Sequence, residues 1–249
     1  MWRRYTLDHQ SAAVRREGCA ALVALVAAAT RTELRWHGAA LVDAASRTLA
    51  GSAAQVFGAA AAAHVAVAVA VSGDDPRDPG LAAALAAMLE AANSRGHEPE
   101  VAAAWVAEAP ALLSAVKLCA AVHLTRLLPP LLGWLHARDD ATALGAATCL
   151  ELLCTMTWPR MPSHAAGMWP DLARAYLEAD ARGGRAATAS LRAALERVVA
   201  VLQLTAGARF DVAWRAGTDG GAAAPLLAPL VAHLDLLPRI VAPTDWARP

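Results

Sequence analysis

The side chains best suited to hold a metal or move a proton near neutral pH are eight histidines: His9, His37, His64, His97, His123, His136, His164 and His233. No two stand three or four residues apart, so no helical turn offers a pair to one ion, and none sits in an HExxH context. His64 and His123 fall within apolar helical stretches, where a satisfied core or groove histidine is the ordinary reading. His97 falls in a polar loop. Cys19, Cys119, Cys149 and Cys154 form no CxxC pair and have no histidine at zinc spacing. Thiols inside apolar helices pack as small hydrophobes and fit a reducing compartment. Neither a GxSxG elbow nor a GxxxxGK[ST] loop occurs. Gly217-Thr218-Asp219-Gly220-Gly221 is glycine-rich, but no Lys follows it and no strand precedes it, which argues against phosphate binding. Asp139-Asp140 is a paired carboxylate that a helix cap explains without chemistry. The reading is a protein with no catalytic residue, no metal and no cofactor.

Tryptophan carries more information. Eight Trp against two Tyr and two Phe is an odd balance. Trp134 reads as core with its N–H near a break. Trp158 stands beside Pro159, Arg160 and Met161 on a turn, and Trp, Arg and Met exposed together make a protein-binding hot spot. The competing reading is that Trp158 staples two helices. The expected protein interface is Trp134, His136, Asp139, Asp140, Trp158, Arg160 and Met161.

These residues need helices to position them. Apolar residues make up 57 % of the 249, dominated by Ala and Leu, and alternating β-branched runs are missing. Asp8 or Ser11 is placed to cap a first helix reaching residue 29, with Val14, Ala21, Leu22, Leu25 and Ala28 on its apolar face. Thr30 and Glu33 have capping-box spacing and open a second helix. Residues 53–71 approach the roughly 20 needed to span a membrane. Their apolar content is mostly Ala, and His64 interrupts it, so a buried helix is the reading. A loop follows at 72–80, then a helix over 81–92. Pro110 is expected to open a helix running to Leu128, and Pro129-Pro130 to break it. Asp139 or Asp140 caps the next helix, where Ala143, Ala147, Leu150 and Cys154 form a stripe. A helix reaches residue 181, Gly183-Gly184 separates it from the next, and Leu191, Leu195, Val198 and Leu202 form that helix's apolar face. Residues 207–224 read as a long loop, 225–237 as a last helix, and 242–249 as a frayed tail. The fold class is therefore all-α. Short unequal helices with proline breaks favour one α-solenoid of HEAT/armadillo-like hairpins over residues 1–249, with its clearest repeats in 110–205. An irregular multi-helix bundle is the alternative.

Lys and Arg together number 22, as do Asp and Glu, for a net charge of zero, which disfavours nucleic-acid binding. The N-terminal segment leads into polar residues and not into a signal-peptide core.

Trp134-Leu135-His136, Asp139-Asp140 and Thr142, followed by Thr157-Trp158-Pro159-Arg160-Met161-Pro162 and His164, resemble the C-terminal region of the Tel-two-interacting protein two family. Val14-Arg15-Arg16-Glu17-Gly18-Cys19 and Glu33-Leu34-Arg35-Trp36-His37-Gly38 are compatible with a HEAT unit of that family. The resemblance covers roughly residues 110–205. It implies a scaffold subunit of the TTT co-chaperone complex, which supports the PI3K-like protein kinases. The implied partners are Tel-two and its first interacting protein, with the Hsp-ninety chaperone and the kinases reached indirectly. The expected location is the cytoplasm, with the nucleus beside it, and the charge balance and the buried reading of 53–71 exclude a nucleic-acid or membrane partner. A generic HEAT or armadillo adaptor with an unrelated partner is the alternative.

Overall fold

The computed structural model describes residues 6–181, 186–218, 224–232 and 234. All regular structure among them is helical. The chain packs as two compact units, Met1–Pro130 and Leu131–Pro249.

The first unit holds α1 (Ala12–Ala28), α2 (Arg31–Ala50), α3 (Ala54–Ser72), α4 (Pro79–Arg95) and α5 (Pro99–Val116), followed by a 3-10 segment over Lys117–His123. Its centre is α3, which packs against α1, α2, α4 and α5. Small side chains make that possible: Ala60, Ala61, Ala63 and Ala68 are buried with Val56, Phe57, Val65 and Val67. This is the stretch that approached membrane-span length. Both α3 and the run Pro99–Trp134 are long and apolar enough to cross a membrane, but α3 is enclosed by its own neighbours.

The Thr30–Glu33 capping box forms as its spacing predicts. The Glu33 amide donates to Thr30 Oγ1, and the Thr30 amide donates to Glu33 Oε2 at 2.8 Å. These bonds hold the Glu33 carboxyl below its usual pKa. Arg95 ties the end of α4 to the start of α3. It donates to the Ser52 carbonyl at 2.7 Å and to both oxygens of Glu98, and its guanidinium lies 5.5 Å from the Phe57 ring.

Three expectations fail here for physical reasons. The face of α1 is rotated: Gly18, Cys19, Leu22 and Val26 are buried, whereas Leu25 and Ala28 are exposed. From Cys19 onward every position of that helix is apolar, so periodicity could not choose. Close approach at Gly18 did, since a Cβ there would meet Thr6 at 2.9 Å. Pro110 does not open a helix. It lies inside α5, whose N-terminus is set by Pro99. The stripe Val101, Ala102, Trp105, Val106, Ala109, Leu112, Leu113 and Val116 runs straight through it, and that burial outweighs the roughly 3 kcal/mol an interior proline costs. Pro129 and Pro130 likewise lie inside a helix, α6 (Leu124–Trp134). The carbonyls they leave without a helical donor belong to Thr125 and Arg126, which are exposed and open to water. Leu124, Leu127, Leu128, Leu131 and Trp134 keep a continuous buried stripe.

The second unit continues through α7 (Asp140–Met156), a 3-10 turn (Trp158–Ser163), α8 (Ala165–Ala181), α9 (Ala186–Ala206), α10 (Ala208–Thr218) and α11 (Ala224–Val231). Here α9 is central, packing on α7, α8, the 3-10 turn, α10 and α11. Leu191, Leu195, Val198 and Leu202 are buried as their spacing predicts, as are Ala143, Ala147, Leu150 and Cys154 of α7.

The expected loop over 207–224 is instead largely α10. Phe210 and Trp214, one turn apart, bury its apolar side, and the Phe210 ring meets Trp169 edge-on with centroids 5.9 Å apart. Asp211 Oδ1 accepts from Gln203 at 2.9 Å and from the Trp214 indole at 3.2 Å. Gly217 is a packing residue, since a Cβ there would stand 2.3 Å from Trp169 Nε1. The last helix starts at Ala224, close to expectation, and ends at Val231. The Gly183-Gly184 break and the 242–249 tail lie outside the described residues.

Candidate functional site

The expected interface residues all belong to the second unit, and they divide into four groups. Trp134 and Met161 are buried, Met161 completely. The exposed Trp-Arg-Met trio therefore reduces to Trp158 and Arg160, because Met161 is the plug that seats the turn against α8 and α9. Trp158, Pro159 and Arg160 are exposed, and the chain turns Met161 inward.

Asp139 and Asp140 begin α7. Asp139 is its N-cap, accepting from the amides of Ala141 and Thr142 at 3.1 Å each. Asp140 is half-buried in the first turn, where a carboxylate suits the helix dipole. Asp139→Ala is expected to lower stability by about 1 kcal/mol, read by urea denaturation, because the cap is lost. A change in partner binding with unaltered stability would overturn this capping role.

His136 is engaged within its own unit. Its Nδ1 lies 2.8 Å from Glu178 Oε2, and Arg174 Nη2 approaches its Nε2 at 3.3 Å. Asp171 accepts from Arg174 at 2.7 Å. The geometry suits an Nδ1–H tautomer that donates to the carboxylate while Nε2 accepts from the guanidinium. His136 thus pins the loop before α7 to the exposed flank of α8.

Trp158 and Arg160 remain as the open surface. Trp158 is 54 % exposed. Arg160 is also exposed, and its side chain has no ion-pair partner among the described residues. Rigidity comes from below. Pro159 and Pro162 restrict the backbone, the Arg160 amide donates to the Thr157 carbonyl at 2.9 Å, and the buried Thr157 hydroxyl donates to Leu153 at 2.7 Å. The indole is therefore presented by a fixed turn, about half of it open to solvent.

On α9, Arg192 and Glu196 both meet Tyr176 of α8. Arg192 Nη2 donates to the Tyr176 hydroxyl at 2.7 Å, and that hydroxyl donates to Glu196 at 3.1 Å. The Arg192 guanidinium also lies 4.7 Å from the Tyr176 ring centroid. Burial raises the Tyr176 pKa against the opposing pull of Arg192.

All four cysteines are thiols, and burial pushes Cys149 and Cys154 up to about 12. No cluster of three His, Cys, Asp or Glu suited to a metal ion occurs among the described residues. Sequence reasoning missed two exposed apolar sites. Trp36 on α2 is 81 % exposed, and Leu118 and Val122 project from the 3-10 segment after α5. The second was hidden because residues 110–128 read as one uninterrupted helix.

Comparison with family models, with curated proteins and with solved structures finds no match to this chain.

Proposed function

We propose that this chain is a non-catalytic helical scaffold that docks a larger protein partner through the turn bearing Trp158 and Arg160. The observation that carries the reading is the exposed indole beside an arginine without an ion-pair partner, on a turn held rigid by two prolines and a buried methionine. Trp and Arg dominate protein-binding hot spots, and a preordered anchor loses little entropy on docking. The zero net charge suits a protein partner over nucleic acid.

Within that class the reading is an α-solenoid of HEAT/armadillo type, acting as a subunit of the TTT co-chaperone complex. The motif around Trp134 and Trp158 supports this, and the partners are Tel-two and its first interacting protein. Packing between chain-adjacent helices supports the solenoid. The central positions of α3 and α9, each ringed by several helices, favour the irregular bundle as second reading.

The test is an affinity pull-down of the tagged chain from its own cell extract, read by mass spectrometry, beside Trp158→Ala/Arg160→Ala. Recovery of Tel-two, its first interacting protein and PI3K-like kinases is expected, with the double variant reducing it about tenfold or more. Both substituted side chains are exposed, so the thermal midpoint stays unchanged. Recovery of none of these by a folded, soluble bait sinks the co-chaperone assignment and leaves the generic adaptor. Undiminished recovery by the double variant removes the Trp158 surface from the reading.

A further inference from the structure

The first unit carries a different surface, independent of the Trp158 turn. On α2, Glu33, Trp36, His37, Ala40, Asp43, Ala44 and Arg47 recur in steps of three and four residues, so they form one stripe along the helix. Ala44 is half-buried and the other six are exposed, Trp36 at 81 %. The stripe runs on the opposite side of the helix from Leu34, Gly38, Ala45 and Leu49, which face the core. Folding of the unit therefore leaves the whole stripe in solvent.

The order of residues along it is symmetric about Ala40. Glu33 and Arg47 stand seven residues before and after that alanine, Trp36 and Ala44 stand four, and His37 and Asp43 stand three. In each pair the two members are complementary: acid with base, large with small, imidazole with carboxylate. Two copies of α2 laid antiparallel, with Ala40 on a two-fold axis, set every member against its complement, and each contact occurs twice. A parallel pair would set each charge against its own kind. Alanine at the axis lets the two helices approach closely. The surroundings add no opposing charge. Arg31 pairs with Asp74, Arg35 lies off the stripe, and α1 has no charged residue from Cys19 to Ala28. The Asp43–Arg47 pair on the helix itself stays intact and joins His37 and Glu33 of the other copy in one alternating network.

We propose that the outer face of α2 docks a second copy of this chain, antiparallel about Ala40, with Trp36 of each copy seated over Ala44 of the other. An unrelated partner would have no use for a pattern that is its own complement under a two-fold rotation. One helix pair buries less than about 1,200 Å² in all, so the dimer is weak and reversible.

Sedimentation equilibrium of the full-length chain tests this, from about 10 to 500 µM. A monomer–dimer equilibrium is expected within that range. Trp36→Ala and Arg47→Glu are each expected to raise the dimer Kd about tenfold, the second because Glu33 then meets a carboxylate. The swap Glu33→Arg/Arg47→Glu is expected to return the Kd to within about threefold of wild type, which a parallel pair would not do. Glu33→Gln/Arg47→Glu keeps a capping residue at that position and removes the repulsion, so it should recover part of the loss even where the swap unfolds the helix. Far-UV circular dichroism checks that each variant is folded. A wild-type chain that stays monomeric at 500 µM overturns the proposal, as does an assembly that grows beyond two copies. So does a dimer indifferent to both Trp36→Ala and Arg47→Glu, or one that neither compensating variant restores.

Discussion

Trp105→Ala is expected to reduce the stability of the first unit by about 3–5 kcal/mol, enough to leave much of it unfolded at physiological temperature. Trp105 is completely buried on α5, and its indole N–H donates to the Met88 carbonyl on α4 at 2.8 Å. Truncation removes the largest enclosed side chain of that unit and the bond crossing between two helices around α3. Neighbouring helices built largely of alanine cannot collapse into the void by rotamer changes, so little of the cavity cost is relieved. Trp105→Phe keeps most of the volume and loses the bond, and should cost about 1–2 kcal/mol. Urea denaturation followed by far-UV circular dichroism reads both. A loss under about 1 kcal/mol for the alanine variant contradicts the packing described.

The second large effect concerns pH. His64 is 2 % exposed in the middle of α3, and neither ring nitrogen has a hydrogen-bond partner among the described residues. Burial pushes its pKa below the ordinary 6.5, opposed only by the Ala84 main chain. No charged side chain on α1, α2, α4 or α5 contributes to that shift. Below pH 6.5 the unfolded chain binds a proton that the folded chain refuses. Stability therefore falls with acidification through that window, by up to about 1.4 kcal/mol per pH unit, until the depressed folded pKa is reached. Above pH 6.5 both states hold a neutral ring and nothing further is gained.

Urea melts at pH 7.5 and pH 5.0 should show the wild type losing stability and His64→Leu keeping it. The capping box and the Arg95–Glu98 pair also depress carboxyl pKa values, but those contributions fade only as pH falls through about 4.5, outside this interval. Equal losses in the two proteins would remove His64 as the cause.

What could be read from the residues alone follows from how each signal is encoded. Local hydrogen-bonding chemistry is written in short spacings, and so the Thr30–Glu33 box and the Asp139 cap were legible. Helices with mixed composition were legible too: on α7 and α9 the polar residues mark the outer face. Where the chain is almost uniformly Ala, Leu and Val, periodicity holds no contrast, and the buried side of α1 was set by Gly18 instead. Prolines misled twice. Pro110 looks like a helix start and Pro129-Pro130 like a stop, but each lies inside a helix whose buried stripe tolerates it. The glycine-rich segment near Gly217 disguised α10, whose Phe210 and Trp214, one turn apart, were the available sign. At the candidate site, Trp158 and Arg160 are both exposed; residue types suggested the two as a surface. They could not show that Met161 turns inward, because residue type alone does not say which side of a turn packs on the helices beneath it.

The alanine-built centre of the first unit has a consequence at the level of the gene. Every alanine codon begins GC, so single-base changes lead to Val, Thr, Ser, Pro, Gly, Asp or Glu. At Ala60, Ala61, Ala63 and Ala68 all of these except glycine add atoms where four helices already meet, and glycine loosens the helix itself. Most proteins concentrate their harmful substitutions at large core residues. Here the smallest residues form a second class of intolerant positions, so a scan of all single-nucleotide variants should show a band of loss across α3 as deep as that at Trp105.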